Sequence, residues 1–598
     1  MNKNKGIRAL YRANAVFYQT LWRQSGYIYF LRIGFEVIYA LKGPFAALML
    51  KLALERAAAG SSVLQVLLPL VGSAVYALLG NLLHTAVYGI YSDYAFTKAE
   101  IAVRRATLSH YYDLYSVYFD DPSHSDRAYR ALEYSAGGGR ELTTHLMALF
   151  GLFLSFAGYT VLLTTIDWKI SVVILGITGL GILTDAAYNR RMHTAERSVT
   201  GERRQMAYYA QAVGERDVMD ELKTAGSIRF FSEKHQAAAA SIARKLFSWR
   251  KKAFGLKYFT ETAEHYSTLA SFILLGIQLV SGAIPLAQCA VFLRSIGSLR
   301  MSVEELFSYG TILQAEALKA QNYCEFMFDE TYLMPEDDNA QPLNDMRSIE
   351  FKNVWFKYPG QTEYAVKDVS FRITDRMKVS IVGENGAGKT TLVNLIMRMY
   401  LPERGEILIN GVDAGAFRIK DIWRCISAVF QNPVVYALTA AENVCFAADE
   451  TADHDRICTA LDKAGLGKKQ IDWRKGIQTQ MTHRFSTSGV QLSGGQQQKL
   501  AAARAYYKPC SVYVLDEPSS SLDAVSEVEL YQSMTDAAHD HIMIFISHRL
   551  TSVKITDYVI YMCRGQVADQ GVHAQLYARC KAYRELYQMQ ADRYLTTV

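Results

Sequence analysis

The chain has 598 residues, of which 50% are hydrophobic and 20% are charged, so it exceeds the size that one hydrophobic core usually organises and is apolar for a soluble protein. The long apolar runs lie before residue 313, which favours a membrane part followed by a soluble part. The net charge of +6 is modest and the basic residues form no single tract, which argues against nucleic acid as a partner. The 8 cysteines include no CxxC pair, which predicts reduced thiols.

Six stretches are long and apolar enough to cross a bilayer, whose core needs about 20 helical residues. We place them at Tyr27–Leu54, Val63–Ile90, Leu142–Ile166, Lys169–Ala187, Ala263–Val280 and Leu286–Leu313. Residues 1–26 carry several basic side chains without a following short apolar core and cleavage site. They predict a cytoplasmic lead-in with an elbow helix, not a signal peptide.

Two of the connections between the spans are long, Tyr91–Glu141 and Tyr188–Thr262, and they hold most of the basic residues of this half. The positive-inside rule places these connections and both termini in the cytoplasm. Their pattern is helical with expected turns near Pro122 and Gly226, so we predict membrane helices that extend past the bilayer, turn and return. The predicted organisation is a six-helix transmembrane domain over residues 27–330, a linker over 331–347 and a second domain over 348–598.

From Ser348 onward, short β-rich runs alternate with helices, which is typical of an α/β domain. The predicted strand Lys378–Val382 runs into Gly383-Glu-Asn-Gly-Ala-Gly-Lys389-Thr390 and then into a helix. This is a P-loop: its glycines let backbone N–H groups surround a phosphate chain, its lysine reaches the β- and γ-phosphates, and its threonine hydroxyl holds Mg²⁺. The motif predicts binding of ATP with Mg²⁺.

Two further motifs belong to the same chemistry. The apolar run Val512–Leu515 predicts a buried parallel strand, and Asp516 and Glu517 follow at its ligand-binding end. Asp516 suits the Mg²⁺ shell, and Glu517 is placed to polarise the attacking water. The sequence Leu492-Ser-Gly-Gly-Gln496 opens a helix and predicts a second phosphate-binding surface, which calls for a nucleotide held by another subunit.

With LSGGQ as the defining signature, the second half resembles the ABC transporter ATPases, and the order of spans and long connections resembles the exporter type (type IV). The resemblance implies a multidomain fold: an all-α six-helix transmembrane domain plus an α/β P-loop nucleotide-binding domain. Residues 118–124 and 222–231 look like the two coupling-helix regions that rest on the ATP-binding domains. The family's usual glutamate-containing segment of the type TxVGExG reads Ser486-Thr-Ser-Gly-Val-Gln491 here, without the glutamate.

The resemblance also implies roles for single residues. Gln431 is similar to the Q-loop glutamine that senses Mg²⁺, and Tyr358 matches the aromatic residue that stacks on adenine. Asp523 lies in a segment similar to the D-loop, and His548 looks like the switch histidine, which would share catalysis with Glu517. With Thr390, Gln431 and Asp516 as the Mg²⁺ ligands, the implied ATP-binding set is Tyr358, Gly383, Glu384, Asn385, Gly386, Ala387, Gly388, Lys389, Thr390, Thr391, Gln431, Ser493, Gly494, Gly495, Gln496, Asp516 and Asp523.

The implied activity is ATP hydrolysis coupled to alternating access, by a homodimer or a heterodimer with a second half-transporter. The implied location is the cell membrane, in a bacterium the inner membrane, where the multi-pass chain contacts membrane lipid and both termini and the ATP-binding domain are cytoplasmic. Export or flipping of a hydrophobic or amphipathic compound, such as a drug, lipid or peptide, is the favoured function. Uptake of a siderophore or similar metal chelate on the same fold is the alternative.

Charged residues inside the spans are candidates for the substrate site, because charge is costly in a bilayer. Arg294 lies about 12 Å along the sixth predicted span at 1.5 Å per residue, where it lines a cavity or pairs with a carboxylate of a neighbouring helix. Lys42 and His84 are weaker candidates. Arg32 and Glu36 are four residues apart, and this spacing predicts an ion pair within one helix.

Overall fold

The structure, a computed structural model, describes residues 3–595 except 167, 169–171, 173–175, 177–178, 180–182, 185–186, 189–190, 193, 197, 215, 335–339, 448–450, 468–472, 474, 519–521, 523 and 548–551. The chain divides into two compact units. The first unit comprises Met1–Tyr111 and Arg127–Phe328, and the second comprises Tyr112–Asp126 and Asp329–Val598.

The described residues as far as Met327 are mostly helical. Among these residues the helices are Lys3–Ala58, Val63–Ala86, a π-helical turn Val87–Ser92, Asp93–Tyr112, Val117–Asp120, Pro122–Ser135, Gly138–Ile166, Thr200–Gly214, Arg216–Thr224, Ile228–Val280 and Leu286–Met327. Breaks at Asp121 and at residues 225–227 coincide with the two turns expected in the long connections. Gly226 has a φ of +63°, which the absence of a side chain permits at low cost.

Three helical stretches among the described residues are long and apolar enough to cross a membrane: Phe30–Ala58, Val63–Tyr112 and Gly138–Ile166. The predicted fifth and sixth spans lie in the helices Ile228–Val280 and Leu286–Met327, of which Leu269–Val280 forms a shorter apolar segment. The predicted fourth span, Lys169–Ala187, falls largely outside the described residues.

The lead-in predicted over residues 1–26 is continuous with the first predicted span. One helix runs without a break from Lys3 to Ala58, and its only proline is Pro44. With no helix-breaking proline before that position, the backbone continues from the basic lead-in directly into the first span. Further along, this helix packs with Gly138–Ile166 and Leu286–Met327 around a buried apolar cluster that includes Ala47, Leu163 and Phe292.

The described residues of the second unit form two sheets. Its strands are β1 Ser348–Phe356, β2 Val366–Thr374, β3 Lys378–Gly383, β4 Arg404–Ile409, β5 Val412–Asp413, β6 Ile426–Val429, β7 Val512–Asp516, β8 Ile542–Ser547, β9 Tyr558–Cys563 and β10 Gln566–Gly571. Its longer helices are Lys389–Ile396, Ile419–Cys425, Ala440–Cys445, His454–Lys463, Gly494–Tyr507, Ala524–Ala537, His573–Arg579 and Lys581–Leu595. The predicted strands before the P-loop and before Asp516 are confirmed.

The smaller sheet is antiparallel with the order β2-β1-β4-β5, and the larger sheet has the order β10-β9-β3-β8-β7-β6. From β9 to β6 all neighbours in the larger sheet are parallel. Because side chains alternate along a strand, Val512 and Val514 join the apolar cluster shared with the smaller sheet, whereas Tyr513 and Leu515 join the cluster formed with the helices. The parallel order places the carboxyl ends of β3, β8 and β7 side by side.

Residues 112–126 belong to the second compact unit, so residues 118–124 pack with the α/β domain. The Tyr115 N–H donates to the Tyr332 carbonyl oxygen at 3.0 Å. The Tyr118 side chain is fully buried and stacks on His124 with ring centroids 4.8 Å apart. Whether residues 222–231 contact an ATP-binding domain stays a prediction.

The predicted linker over residues 331–347 contributes two buried side chains to the second unit. Leu343 and Met346 are buried members of the apolar cluster beneath the smaller sheet. The Arg424 guanidinium donates to the Leu343 carbonyl oxygen at 2.9 Å. The apolar side chains of a stretch that is polar on average therefore fasten it to the second unit.

Candidate functional site

The P-loop connects β3 to the helix Lys389–Ile396, which we call the P-loop helix. Gly388 caps this helix with a φ of +95°, and a Cβ atom there would lie 2.6 Å from the Ala365 carbonyl oxygen. Only glycine satisfies both the left-handed backbone and the close approach. The loop thus presents its backbone N–H groups at a helix N-terminus, where partial positive charge favours phosphate.

Lys389 is buried at the start of the P-loop helix, with 6% of its surface exposed. Its Nζ donates to the carbonyl oxygens of Gly383 and Glu384 at 2.9 and 3.0 Å. Burial lowers the pKa of Lys389, while the carboxylates of Glu517 and Asp516 raise it. The ammonium is therefore held within the loop, where it faces the acids at the end of β7.

Asp516 and Glu517 stand at the carboxyl end of β7, opposite the P-loop. The Thr390 hydroxyl lies 3.5 Å from the Asp516 carboxylate. Burial raises the pKa of Asp516, and the nearby charge of Glu517 adds to that rise, while the Thr390 hydrogen bond and Lys389 oppose it. This arrangement favours a cation beside Asp516, since a positive charge offsets the cost of burying the carboxylate.

Glu517 occupies an uncommon backbone conformation, with a φ of +47°. Its N–H donates to the Ile546 carbonyl oxygen on β8 at 3.0 Å, and its carboxylate accepts a hydrogen bond of 2.8 Å from the Gln431 side-chain amide. Strained conformations that the surrounding structure enforces cluster at functional sites. The structure thus brings together the predicted Q-loop glutamine and the predicted catalytic acid.

The donor atoms at this edge fit Mg²⁺. Thr390, Asp516 and Gln431 offer a hydroxyl, a carboxylate and an amide oxygen, which are the ligand types that Mg²⁺ prefers. Among the described residues there is no cluster of three or more His, Cys, Asp or Glu side chains that could hold a metal by itself. The set is therefore suited to a Mg²⁺ ion whose remaining ligands are phosphate oxygens and water.

Tyr358 lies beside the P-loop helix. Its hydroxyl is 3.0 Å from the Thr391 hydroxyl, and its ring meets Phe356 and Tyr400 edge to face, with centroids 5.0 and 5.3 Å away. Its ring is half-buried, so one part packs on the core while the other is accessible. This is the environment that a base-stacking aromatic needs.

The signature begins the helix Gly494–Tyr507, here called the signature helix. Ser493 caps it: its hydroxyl accepts from the Gln496 N–H, and the Gln496 side chain accepts from the Ser493 N–H at 2.9 Å. Among the described residues, no hydrogen bond joins Ser493–Gln496 to the P-loop stretch Gly383–Thr391.

The loop before the signature, which lacks the family's glutamate, is ordered by backbone contacts. Thr482 N–H donates to the Val490 carbonyl oxygen at 2.9 Å, and Val490 N–H donates to the Gln480 carbonyl oxygen at 2.8 Å. A Cβ atom on Gly489 would lie 1.9 Å from the Thr482 carbonyl oxygen. The glycine is therefore required by the close packing of this loop.

Sequence reasoning missed a contact between half-buried Arg504 and buried Asn443 behind the signature helix. Arg504 donates from Nε to the Asn443 carbonyl oxygen at 2.7 Å and from Nη2 to the Asn443 side-chain oxygen at 2.9 Å. The guanidinium also lies over the Tyr436 and Phe446 rings, and burial lowers the pKa of Arg504. An arginine inside an alanine-rich helix was the available signal. The pair fixes the signature helix to the segment that follows Gln431.

Two predicted site residues, Asp523 and His548, lie outside the described residues, so their roles stay predictions. His548 follows Ser547 directly, and Ser547 ends β8 between β3 and β7.

The candidate substrate residues lie in the first unit. Arg294 is exposed and forms no ion pair with a described residue, whereas its neighbours Ser295 and Ile296 are buried. Lys42 donates to the Asn81 side chain at 3.0 Å, and His84 stacks between Tyr39 and Tyr88. These contacts give the two weaker candidates a structural role.

The predicted ion pair between Arg32 and Glu36 is wrong. Both side chains are buried, but Arg32 donates to the Thr144 hydroxyl and lies over the rings of Tyr88 and Phe96, while Glu36 accepts from the Tyr88 hydroxyl. Neighbouring helices thus provide partners that outcompete the contact between residues four apart on one helix.

A P-loop after β3 and paired acids after β7 define an ATP-binding domain of the P-loop class. Residues 366–520 match the family model described as ABC transporter. The matched residues therefore form an ABC transporter ATP-binding domain, which follows the helical part of the chain.

Three relatives indicate the range of similarity. A subtilin transport ATP-binding protein of Bacillus subtilis is 36% identical over 244 residues, which are 40% of this chain and 39% of the relative. An ATP-dependent lipid A-core flippase of Aromatoleum aromaticum is 30% identical over 375 residues, 62% of this chain and 60% of the relative. A nisin transport ATP-binding protein of Lactococcus lactis is 28% identical over 340 residues, 56% of each chain. The chain spans about half the length of the relatives that it matches.

Proposed function

We propose that this protein hydrolyses ATP and uses the energy to move an amphipathic compound across a membrane. The observation that carries the hydrolysis is the convergence of Lys389, the Thr390–Asp516 pair and the Gln431–Glu517 pair on one edge of the larger sheet. A buried cation, oxygen ligands for Mg²⁺ and a fixed carboxylate are the parts that phosphoryl transfer to water requires.

Each residue has a separate task in this proposal. The P-loop amides and Lys389 bind the phosphates, and Thr390, Asp516 and Gln431 hold Mg²⁺, which offsets the negative charge of the phosphates. Glu517 orients the attacking water and accepts its proton, which its fixed position favours. Tyr358 stacks on the adenine. His548 contacts the γ-phosphate, and Asp523 lies at the interface with the partner subunit.

The proposal includes a dimer, either of two identical chains or with a second half-transporter. The signature offers a helix N-terminus whose Ser493 and Gly494 are exposed, and its described residues make no hydrogen bond to the chain's own P-loop. A second chain would supply the phosphate for this N-terminus. The helix Ile228–Val280 also exposes large apolar side chains, such as Phe254, Tyr266 and Phe272, which suits a partner or lipid.

The proposed direction is export or flipping. The relatives are named for peptide transport and for a lipid flippase, and none of the three names describes uptake. We place the protein in the cell membrane, the inner membrane in a bacterium, with six spans, membrane lipid around them, and both termini and the ATP-binding domain in the cytoplasm. Exposed Arg294 is proposed to face the transported compound, and an anionic group would complement its charge.

Stimulation of ATP hydrolysis tests this proposal. The full-length protein in phosphatidylethanolamine–phosphatidylglycerol nanodiscs is mixed in turn with lipid A, nisin, an amphipathic cationic dye and a ferric siderophore. We expect one of the amphipathic probes to raise kcat and the siderophore to have no effect. Stimulation by the ferric chelate alone would contradict the export proposal, and absence of hydrolysis under all conditions would contradict the ATPase proposal.

A further inference from the structure

Residues Tyr112–Asp126, which we call the first coupling segment, pack against the rest of the second unit. One of their contacts leads towards the proposed ATP site. The Tyr400 hydroxyl donates to the Asp120 carboxylate at 2.9 Å. Tyr400 is 9% exposed. Burial, together with the Asp120 carboxylate, raises the pKa of the Tyr400 hydroxyl, so the hydroxyl stays protonated and acts as a hydrogen-bond donor. A hydrogen bond to a charged acceptor is stronger than one between neutral groups.

The same Tyr400 ring packs against the proposed base-binding residue. Its centroid lies 5.3 Å from that of Tyr358 and 5.3 Å from that of Phe356, both edge to face. The Tyr358 hydroxyl in turn lies 3.0 Å from the Thr391 hydroxyl on the P-loop helix. A continuous series of contacts therefore runs from Asp120 through Tyr400 and Tyr358 to the P-loop helix.

We propose that Tyr400 is a positioning residue that makes the first coupling segment sense the adenine base, because base stacking on Tyr358 restrains Tyr400 and strengthens its hydrogen bond to Asp120. The inference rests on the proposed function, since it requires ATP in the P-loop with its base on Tyr358. It adds a route that depends on the base, separate from the contact between Gln431 and Glu517 on the phosphate side.

The first coupling segment has other anchors that do not involve Tyr400. The Lys420 ammonium lies 3.6 Å from the Asp113 carboxylate, and Val117 packs against the apolar cluster of the smaller sheet. The Met334 N–H donates to the Asp113 carbonyl oxygen at 2.9 Å. Removing the Tyr400 hydroxyl therefore leaves the segment docked and interrupts only the link to the base.

Hydrogen–deuterium exchange of the full-length protein in nanodiscs tests this link. The two probes are AMP-PNP with Mg²⁺, which carries the base, and tripolyphosphate with Mg²⁺, which does not. We expect AMP-PNP to slow exchange in the peptide covering Tyr115–Asp121 by about tenfold, the factor that corresponds to about 1.4 kcal/mol and to a hydrogen bond with a charged acceptor. Tripolyphosphate should protect the P-loop peptide and leave the coupling peptide within about twofold of its free rate.

Variants separate the hydrogen bond from packing. In Tyr400→Phe and in Asp120→Ala, AMP-PNP should protect the P-loop and no longer the coupling peptide, and the double variant should behave like either single one. Asp120→Asn keeps an acceptor oxygen but loses the charge, so it should give a response between those of the parent and Asp120→Ala. Tyr506→Phe removes another buried hydroxyl of the same domain, which donates to Ser533 at 2.7 Å, and should behave like the parent.

Linkage gives a second readout: if the base strengthens the Asp120 contact, loss of that contact must weaken AMP-PNP binding by the same factor. The Kd of AMP-PNP should rise about tenfold in Tyr400→Phe and Asp120→Ala, while that of tripolyphosphate stays constant. Protection of the coupling peptide by tripolyphosphate, or its persistence in both variants, overturns the inference and leaves the ATPase proposal standing. Failure of AMP-PNP to protect the P-loop of the parent overturns both.

Discussion

Replacing Glu517 with Gln removes one negative charge at the end of β7 and changes little else. The substituted side chain still has an oxygen that can accept the 2.8 Å hydrogen bond from the Gln431 amide. The hydrogen bond from the backbone N–H of residue 517 to the Ile546 carbonyl oxygen is unaffected. A positioned general base contributes about 10²- to 10⁴-fold to a rate, so we expect kcat for ATP hydrolysis to fall by about 10³-fold, or about 4 kcal/mol.

Binding of ATP should survive the same substitution. The charge of Glu517 contributes to the raised pKa of Asp516, so its removal favours the ionised form of that Mg²⁺ ligand. We would measure phosphate release and equilibrium binding of a fluorescent ATP analogue on the full-length protein, with exposed Glu529→Gln as a control that removes one charge from the same domain. A kcat within tenfold of the parent value would refute the role of Glu517 as the general base. Loss of ATP binding would refute the claim that catalysis and ATP binding depend on different residues.

Three further substitutions test the surroundings of the site. Asn443→Ala removes the side-chain acceptor for Arg504 and two hydrogen bonds with the Tyr436 backbone, so it should lower the free energy of unfolding by about 3 kcal/mol at about 1 kcal/mol per bond; a loss of less than about 1 kcal/mol in denaturant unfolding would contradict this. Gly489→Ala places Cβ against the Thr482 carbonyl oxygen and should cost about 1–3 kcal/mol while reducing ATPase activity, and an unchanged Tm would show that the loop adapts freely. Burial lowers the pKa of His573, so stability should fall as pH drops below the unfolded pKa of about 6.5, and His573→Asn should flatten that fall in a Tm–pH series.

The nucleotide site was predictable from the sequence because its parts are local motifs on adjacent strands. The P-loop, the acids after Val512–Leu515 and the signature each combine a secondary-structure change with particular side chains, and parallel strand order then brings the first two together. Their mutual contacts, such as Gln431 with Glu517 across 86 positions of the chain, required the fold. The family resemblance predicted the residues, and the structure supplied the partners.

The contacts of the helical part were less predictable. Arg32 and Glu36 suggested a local pair, but helix packing gave them Tyr88, Phe96 and Thr144 as partners. Periodicity identifies a helix and its apolar character, and it does not specify which neighbouring helix supplies a polar partner. Likewise, Leu343 and Met346 of the predicted linker could be identified as buried only once the sheet that they cover was known.

Directional transport in proteoliposomes tests the central claim most directly. Full-length protein is reconstituted with its ATP-binding domain outside, and an amphipathic probe that stimulates hydrolysis is supplied outside with ATP and Mg²⁺. We predict ATP-dependent movement of the probe to the lumen or the inner leaflet, and no movement with the Glu517→Gln variant. Movement in the opposite direction, or equal movement by that variant, would contradict ATP-driven export.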